Sequence, residues 1–187
     1  SLDYAEGLIH ACLGGGSAFA DATITAWEDA TGNSVHELWG MSEAAPLSGN
    51  PDDRPNKIGS VGVPCVSTEV EAVDPETGTK PMPAGEAGEL RIRGPQMITA
   101  YWNRPVETST AIRDGWLYTG DIGTIDEEGR ITIVDRKKDM VNVGGYNVFP
   151  REIDEVLFAH PGIQEAASIG VPDSHRGETI LAFVVTT

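Results

Sequence analysis

Three short stretches combine residue types that could do chemistry. In Trp39-Gly40-Met41-Ser42-Glu43 an aromatic ring, a glycine, a hydroxyl and a carboxylate follow an apolar run. A carboxylate there could hold Mg2+, a hydroxyl could donate to phosphate, and an indole offers a flat face for a base. The ordinary alternative is a strand ending in a capping serine with a solvated Glu43, and five residues alone favour it. In Tyr118-Thr119-Gly120-Asp121 the glycine permits a tight turn and Asp121 could accept hydrogen bonds from vicinal hydroxyls such as those of a ribose, although the stretch by itself is simply a turn. The third stretch runs from Asp135 to Ile153. Arg136 and Lys138 are cations in an acidic chain, and Gly144-Gly145 lets backbone approach a ligand closely; a charged loop and a hairpin glycine would read the same.

The elements that must position these residues follow from periodicity and punctuation. The opening segment reads as a strand or short helix running into Gly14-Gly15-Gly16, followed by a helix from about Asp21 to Ala30 closed by Gly32. VHELWGMSEAAP reads as an apolar run ending in a loop, and SGNPDDRPNK as exposed turn. Between Ile58 and Ile133, GSVGVP, STEVEAVD, GELRIRG, GWLYTGDIGTID and GRITIVD alternate in period two between turn pairs. That predicts antiparallel strands in a small barrel or sandwich, with one helix from roughly Pro105 to Ile112. After the charged run 135–139 come VNVGGYNV, a proline-initiated helix PREIDEVLFAH and two further strands. The expected class is α+β: an antiparallel, barrel-like β-rich part over 1–135, then a hinge and the start of a small α/β lid over 136–187.

Charge and cysteine usage narrow the function classes. The chain carries 13 basic and 29 acidic groups, a formal charge of -16, which repels phosphate backbones over a Debye length of ~10 Å. Nucleic-acid binding is therefore not expected, and a phosphate-bearing ligand would need local cations or a divalent ion. Cys12 and Cys65 stand far apart without CxxC spacing, so neither a disulfide framework nor a zinc site is suggested. No run of eighteen apolar residues occurs, and the expectation is a cytoplasmic protein without a transmembrane segment.

Each signal is weak singly, but their order and spacing together resemble one pattern, that of the adenylate-forming superfamily of acyl-CoA synthetases, firefly-type luciferases and peptide-synthetase adenylation domains. GGGSA resembles that family's GGA loop, WGMSE its YGxTE, and GELRIRGPQMITAYWNRP its GELxIxGxxVxxGYxNxP. GWLYTGDIG and DRKKDMVNVGGYNVFPREIDEVLFAHPGIQEAASIGVPD continue the match, which covers nearly all of the chain and is nearest to fatty-acyl-CoA ligases.

The resemblance implies roles and ligands: ATP/AMP, Mg2+, coenzyme A and a fatty or related carboxylic acid. Trp39 would stack on adenine in place of the usual Tyr, Ser42 would touch phosphate where Thr is usual, and Glu43 would bind Mg2+. Asp121 and Arg136 would hold the ribose hydroxyls and Ile133 would pack near the base. Gly14, Gly15 and Gly16 would line the adenine and acyl pockets. Lys138 would be the hinge of the small lobe, while Gly144, Gly145 and Tyr146 would border the pantetheine path. Leu38 stands where many members have Gly, Gly40 keeps its position open, and Ala100 replaces the Gly of a GY pair.

No TSGTTGxPKG-like phosphate loop and no PxTxxGK segment with its catalytic lysine occurs in the sequence. The expectation is a piece of a longer enzyme, inactive alone, because one missing preorganised donor can be worth ~3 to 4 kcal/mol of transition-state stabilisation. Other readings are an acyl-AMP ligase or peptide-synthetase-type adenylation domain that serves a carrier protein, and a non-catalytic fragment. Peripheral membrane contact of the full-length enzyme is compatible with all of these.

Overall fold

Period-two alternation governs most of the chain. The structure, a computed structural model, describes residues 12–16, 19, 21–51 and 55–186. It divides into two units, one ending at Thr119 and resuming over Gly123–Ile133, the other comprising Gly120–Ile122 and Val134–Thr187.

The first unit opens with β1 (Cys12–Gly15), α1 (Asp21–Thr31), β2 (Val35–Met41), β3 (Ala44–Gly49) and β4 (Val63–Pro64), whose strands form one sheet in the order β1-β2-β3-β4. β1 runs parallel to β2, from Cys12 opposite Val35 to Gly15 opposite Leu38. A parallel pair needs a crossover, and α1 supplies it, stopping where the Gly32 N–H bonds to the Glu28 carbonyl and Gly32 takes a φ of 67°.

The second sheet joins β5 (Glu69–Val73), β6 (Gly88–Arg93), β8 (Trp116–Ile125) and the short β7 (Ile112–Arg113) in the order β5-β6-β8-β7, with β9 (Ile131–Arg136) on β8. Its alternation is explicit in the β5/β6 register, where Val70 faces Ile92 and Ala72 faces Leu90, while Glu69 faces Arg93 and Glu71 faces Arg91. The apolar set enters a core of Leu90, Ile92, Leu117 and Ile131, all wholly buried, together with Leu47 and Trp39 from the first sheet and Val61 just before β4. Burying each such aliphatic side chain is worth about 1.5–3 kcal/mol. On the opposite face Arg91 and Arg93 pair with Glu71 and Glu69 at 2.7 and 2.6 Å, and both guanidinium carbons lie 4.6 Å from the Trp116 ring centre. Only α2 (Pro105–Ala111) interrupts this region, with proline in its first turn.

The second unit contains β10 (Val141–Val143), β11 (Tyr146–Val148), α3 (Pro150–Phe158), β12 (Ile163–Asp173) and β13 (Gly177–Thr186). Its antiparallel sheet has the order β11-β10-β13-β12. α3 packs on β12. The residue before α3, Phe149, has no capping side chain, and Asp135 substitutes by accepting a hydrogen bond from the Arg151 N–H at 3.3 Å.

The α+β class and the antiparallel sheets agree with expectation, and three local readings are corrected. Ser48 and Gly49 belong to β3 rather than to an exposed turn: Ser48 is wholly buried and its hydroxyl donates to the Val61 carbonyl at 2.7 Å. GSVGVP forms a strand only at Val63–Pro64, because Ser60 spends its hydroxyl on the Ile131 carbonyl and the preceding residues turn. Gly120-Asp121 is no turn, since β8 runs through it, although Gly120 has a φ of 71°. Residues 1–11 of the opening segment and 52–54 of the proline-rich stretch lie outside the described residues. No helix among the described residues is long and apolar enough to cross a membrane.

Candidate functional site

The WGMSE residues occupy a hairpin. Trp39 pairs with Ser48 and Met41 with Ala44, so Ser42 and Glu43 form the connection between β2 and β3. Trp39 lies among the buried core residues with 7% of its surface exposed, whereas Ser42 is exposed and Glu43 half-buried. Strand alternation explains the difference: Val35, Glu37 and Trp39 share the inner face of β2, and the turn lifts the two polar residues away from it.

Glu43 is held from two directions by one segment. Its carbonyl accepts the Ile98 N–H at 2.9 Å, and its Oε1 accepts the Tyr101 hydroxyl at 2.8 Å. Tyr101 is itself fixed, because its N–H donates to the Thr108 hydroxyl at 3.0 Å and its carbonyl accepts the Arg104 N–H at 3.2 Å. Burial, and then the bond to Glu43, push the Tyr101 phenol above the usual tyrosine range, so it stays a proton donor at neutral pH.

Two of the predicted glycines, on β1, leave no room for a side chain. A Cβ at Gly14 would come within 2.4 Å of the Phe19 ring, and one at Gly15 within 3.0 Å of the Leu38 carbonyl. Gly40 is exposed, beside Ala45, while Gly16 has open space around it. Ile133, on β9, packs half-buried against the core.

In the second unit Asp121 is almost wholly buried and its Oδ1 lies 2.9 Å from Arg136 Nε. Arg136 is half exposed and leads into a 3-10 turn, Lys137–Asp139. A cavity of about 590 Å³ is lined by Gly120, Arg136, Lys137 and Lys138. Three consecutive cations thus line one concavity in a chain of formal charge -16, an arrangement suited to an anionic ligand. Lys137 was not singled out by sequence reasoning, since nothing in a charged run says which side chain faces inward. Gly144 and Gly145 form the two-residue connection between β10 and β11 with φ of 59° and 93°, positive values that hairpin turns of this length favour. Tyr146 beside them is 78% exposed.

Comparison with known proteins gives these residues their context. Residues 3–102 match the family model of AMP-binding enzymes, and residues 152–187 that of the AMP-binding enzyme C-terminal domain. The chain belongs to the AMP-binding enzyme family. As a family member it is 47% identical over 178 residues to a long-chain-fatty-acid–CoA ligase of Bacillus subtilis, covering 95% of this chain and 32% of the relative. It is 45% identical over 185 residues to a ligase of the same name from Escherichia coli, covering 98% of this chain and 32% of the relative. The chain therefore spans about a third of the length of the curated relatives it matches. Among solved structures, ATP-bound MatB from Rhodopseudomonas palustris superposes with a TM-score of 0.92 at 38% identity, covering 97% of this chain and 36% of that one. A Bacillus subtilis o-succinylbenzoate CoA synthetase in complex with its acyl-adenylate intermediate superposes with a TM-score of 0.85 at 30% identity, over 97% of this chain and 37% of that one.

Within each unit, then, the AMP-binding fold brings predicted residues together: Ser42 and Glu43 on one turn, and Lys138 at one cavity with Arg136, which pairs with Asp121. Sequence reasoning missed Tyr101 as Glu43's partner, although Tyr101 lies within the GELRIRGPQMITAYWNRP motif.

Proposed function

We propose that the complete protein is an ATP-dependent acyl-CoA synthetase that activates a fatty or related carboxylic acid as acyl-AMP and transfers the acyl group to coenzyme A. The observation that carries this reading is identity of 45–47% to long-chain-fatty-acid–CoA ligases across nearly the whole chain. The substrate carboxylate attacks the α-phosphorus of ATP and expels pyrophosphate, and the CoA thiol then displaces AMP from the acyl carbon.

In this reading each group of residues contributes contacts to the nucleotide. Asp121, already oriented by Arg136, accepts the ribose hydroxyls, and Arg136 retains exposed surface with which to join it. Ser42 donates to phosphate. Trp39, largely buried, stacks on adenine with what surface it retains, and Ile133 packs near the base. Gly14, Gly15 and Gly16 lie where added side chains would narrow the adenine and acyl pockets, and Gly40 keeps its position open. Gly144, Gly145 and Tyr146 border the pantetheine arm, and Lys138, in the short turn between β9 and β10, is the hinge that separates the half-reactions.

Magnesium fits a sparse donor set. Among the described residues no cluster of three His, Cys, Asp or Glu could cage a metal ion. Mg2+ commonly uses one or two carboxylates plus substrate phosphates, and Glu43, on an accessible turn, can supply such a carboxylate. When bound, the ion would neutralise charge developing on the phosphates. We also propose a cytoplasmic setting, supported by two cysteines that are both free thiols.

Exchange of labelled pyrophosphate into ATP, with a panel of fatty and aryl acids and the complete protein, tests the assignment. Fatty acids should support exchange, and Glu43→Gln should lower it by about 100-fold or more, in line with loss of a preorganised electrostatic group. Exchange with none of the acids would refute the synthetase reading.

A further inference from the structure

The contact between Tyr101 and Glu43 spans 58 residues of sequence and joins a loop to the one carboxylate proposed above for magnesium. It is more than a surface contact. Glu43 sits on a two-residue turn, where a glutamate side chain would otherwise sample several rotamers. Oε1 is engaged by the phenol, and among the described residues no hydrogen bond reaches Oε2. A neutral O–H donor engages one oxygen without cancelling the carboxylate's charge, as an arginine or lysine would. The donor is anchored in turn: Tyr101's backbone is bound to Arg104 and Thr108 of the α2 start, and Ile98, three residues earlier, binds the Glu43 carbonyl.

We propose that Tyr101 is a positioning residue for Glu43, binding one carboxylate oxygen so that the other is presented, charged and in a single orientation, to the magnesium–nucleotide. This rests on the function proposed above. It gives the 94–104 segment, GPQMITAYWNR, a task beyond connecting β6 to α2: its loop carries the group that orients a ligand on a different sheet.

Tyr101→Phe, Glu43→Gln and the double variant in the complete protein test the idea. Phenylalanine keeps the ring packing and removes only the hydroxyl, and its thermal midpoint is measured alongside. Partners that orient a metal ligand typically matter by 10- to 100-fold in affinity or activity. Tyr101→Phe should therefore raise the Mg2+ concentration for half-maximal pyrophosphate exchange about tenfold. It should weaken magnesium–ATP binding in calorimetry by a similar factor, recover its rate in excess Mg2+, and have no further effect in the Glu43→Gln background. A merely structural tie would instead lower the thermal midpoint and the rate without changing the Mg2+ requirement, and that result would overturn the proposal. So would an unchanged Mg2+ dependence in Tyr101→Phe when Glu43→Gln abolishes exchange, in which case the synthetase assignment would still stand. If Glu43→Gln itself left exchange and its Mg2+ dependence intact, the role of Glu43 would fall, and the positioning role with it.

Discussion

Gly123 on β8 faces the backbone of β9, and replacing it with alanine makes a quantitative test of the core that supports the site. A Cβ at this position would lie 2.7 Å from the Thr132 carbonyl oxygen and 2.8 Å from Leu90 Cδ1, both shorter than real Cβ contacts. The leucine could rotate, but it is wholly buried among Ile92, Leu117 and Ile131, and the carbonyl belongs to the neighbouring strand. Relief therefore requires strand movement of about half an ångström, and overpacking of this kind costs about 1–3 kcal/mol. With an m-value of roughly 2 kcal/mol/M, a 2 kcal/mol loss moves the urea midpoint down by about 1 M. Fluorescence of the buried Trp39 and Trp116 can follow the transition. Leu90→Ala removes one of the two clashes, so Gly123→Ala should cost about 1 kcal/mol less in that background than alone. A Gly123→Ala midpoint within about 0.2 M of the parent would refute the argument, because it would mean that β8 and β9 do not approach as described.

Two further outcomes follow from other contacts. Arg136→Ala should weaken AMP binding about 10- to 100-fold by calorimetry, the range of one hydrogen bond involving a charged group; unchanged affinity would remove Arg136 from the ribose site. Asp126 accepts a hydrogen bond from Lys57 at 2.8 Å and others from the Glu128 and Arg130 N–H groups; the Lys57 bond, chiefly, holds its carboxyl below the ordinary aspartate range. Its folded pKa is thus depressed, so its contribution is fully present above the unfolded value near 4 and is lost as pH falls through the folded one. The gap in thermal midpoint between parent and Asp126→Ala should therefore hold from pH 7 to 5 and narrow below about pH 4, and a gap independent of pH would contradict the pairing.

Much of this molecule was legible before any coordinates. Local patterns were sufficient where a rule acts over a few residues: the glycine stop at Gly32, the prolines opening α2 and α3, the two-residue turn at Gly144-Gly145, and the strict alternation of EVEAV and GELRIR. The order of its motifs also sufficed to place the chain among AMP-binding enzymes. What escaped was whatever depends on partners far away in sequence. Ser48 looked like loop because nothing local reveals that its hydroxyl meets the carbonyl of Val61 in the core. Gly120 looked like a turn because a glycine permits one, yet β8 runs straight through it, with Gly120 at a φ of 71°. How deeply Trp39 lies in the core was not legible either, because a seven-residue strand cannot say how far its inner face is buried.

The sequence by itself determined the class of elements, their order and the candidate ligands for a nucleotide, because propensity, turn chemistry and motif spacing are properties of neighbouring residues. Tertiary structure decided which of those side chains are held and by what: Tyr101 on Glu43, Arg136 on Asp121, Asp135 at the start of α3. Hydrogen bonds and ion pairs act over about 3 Å in space, and only folding brings residues tens of positions apart within that distance.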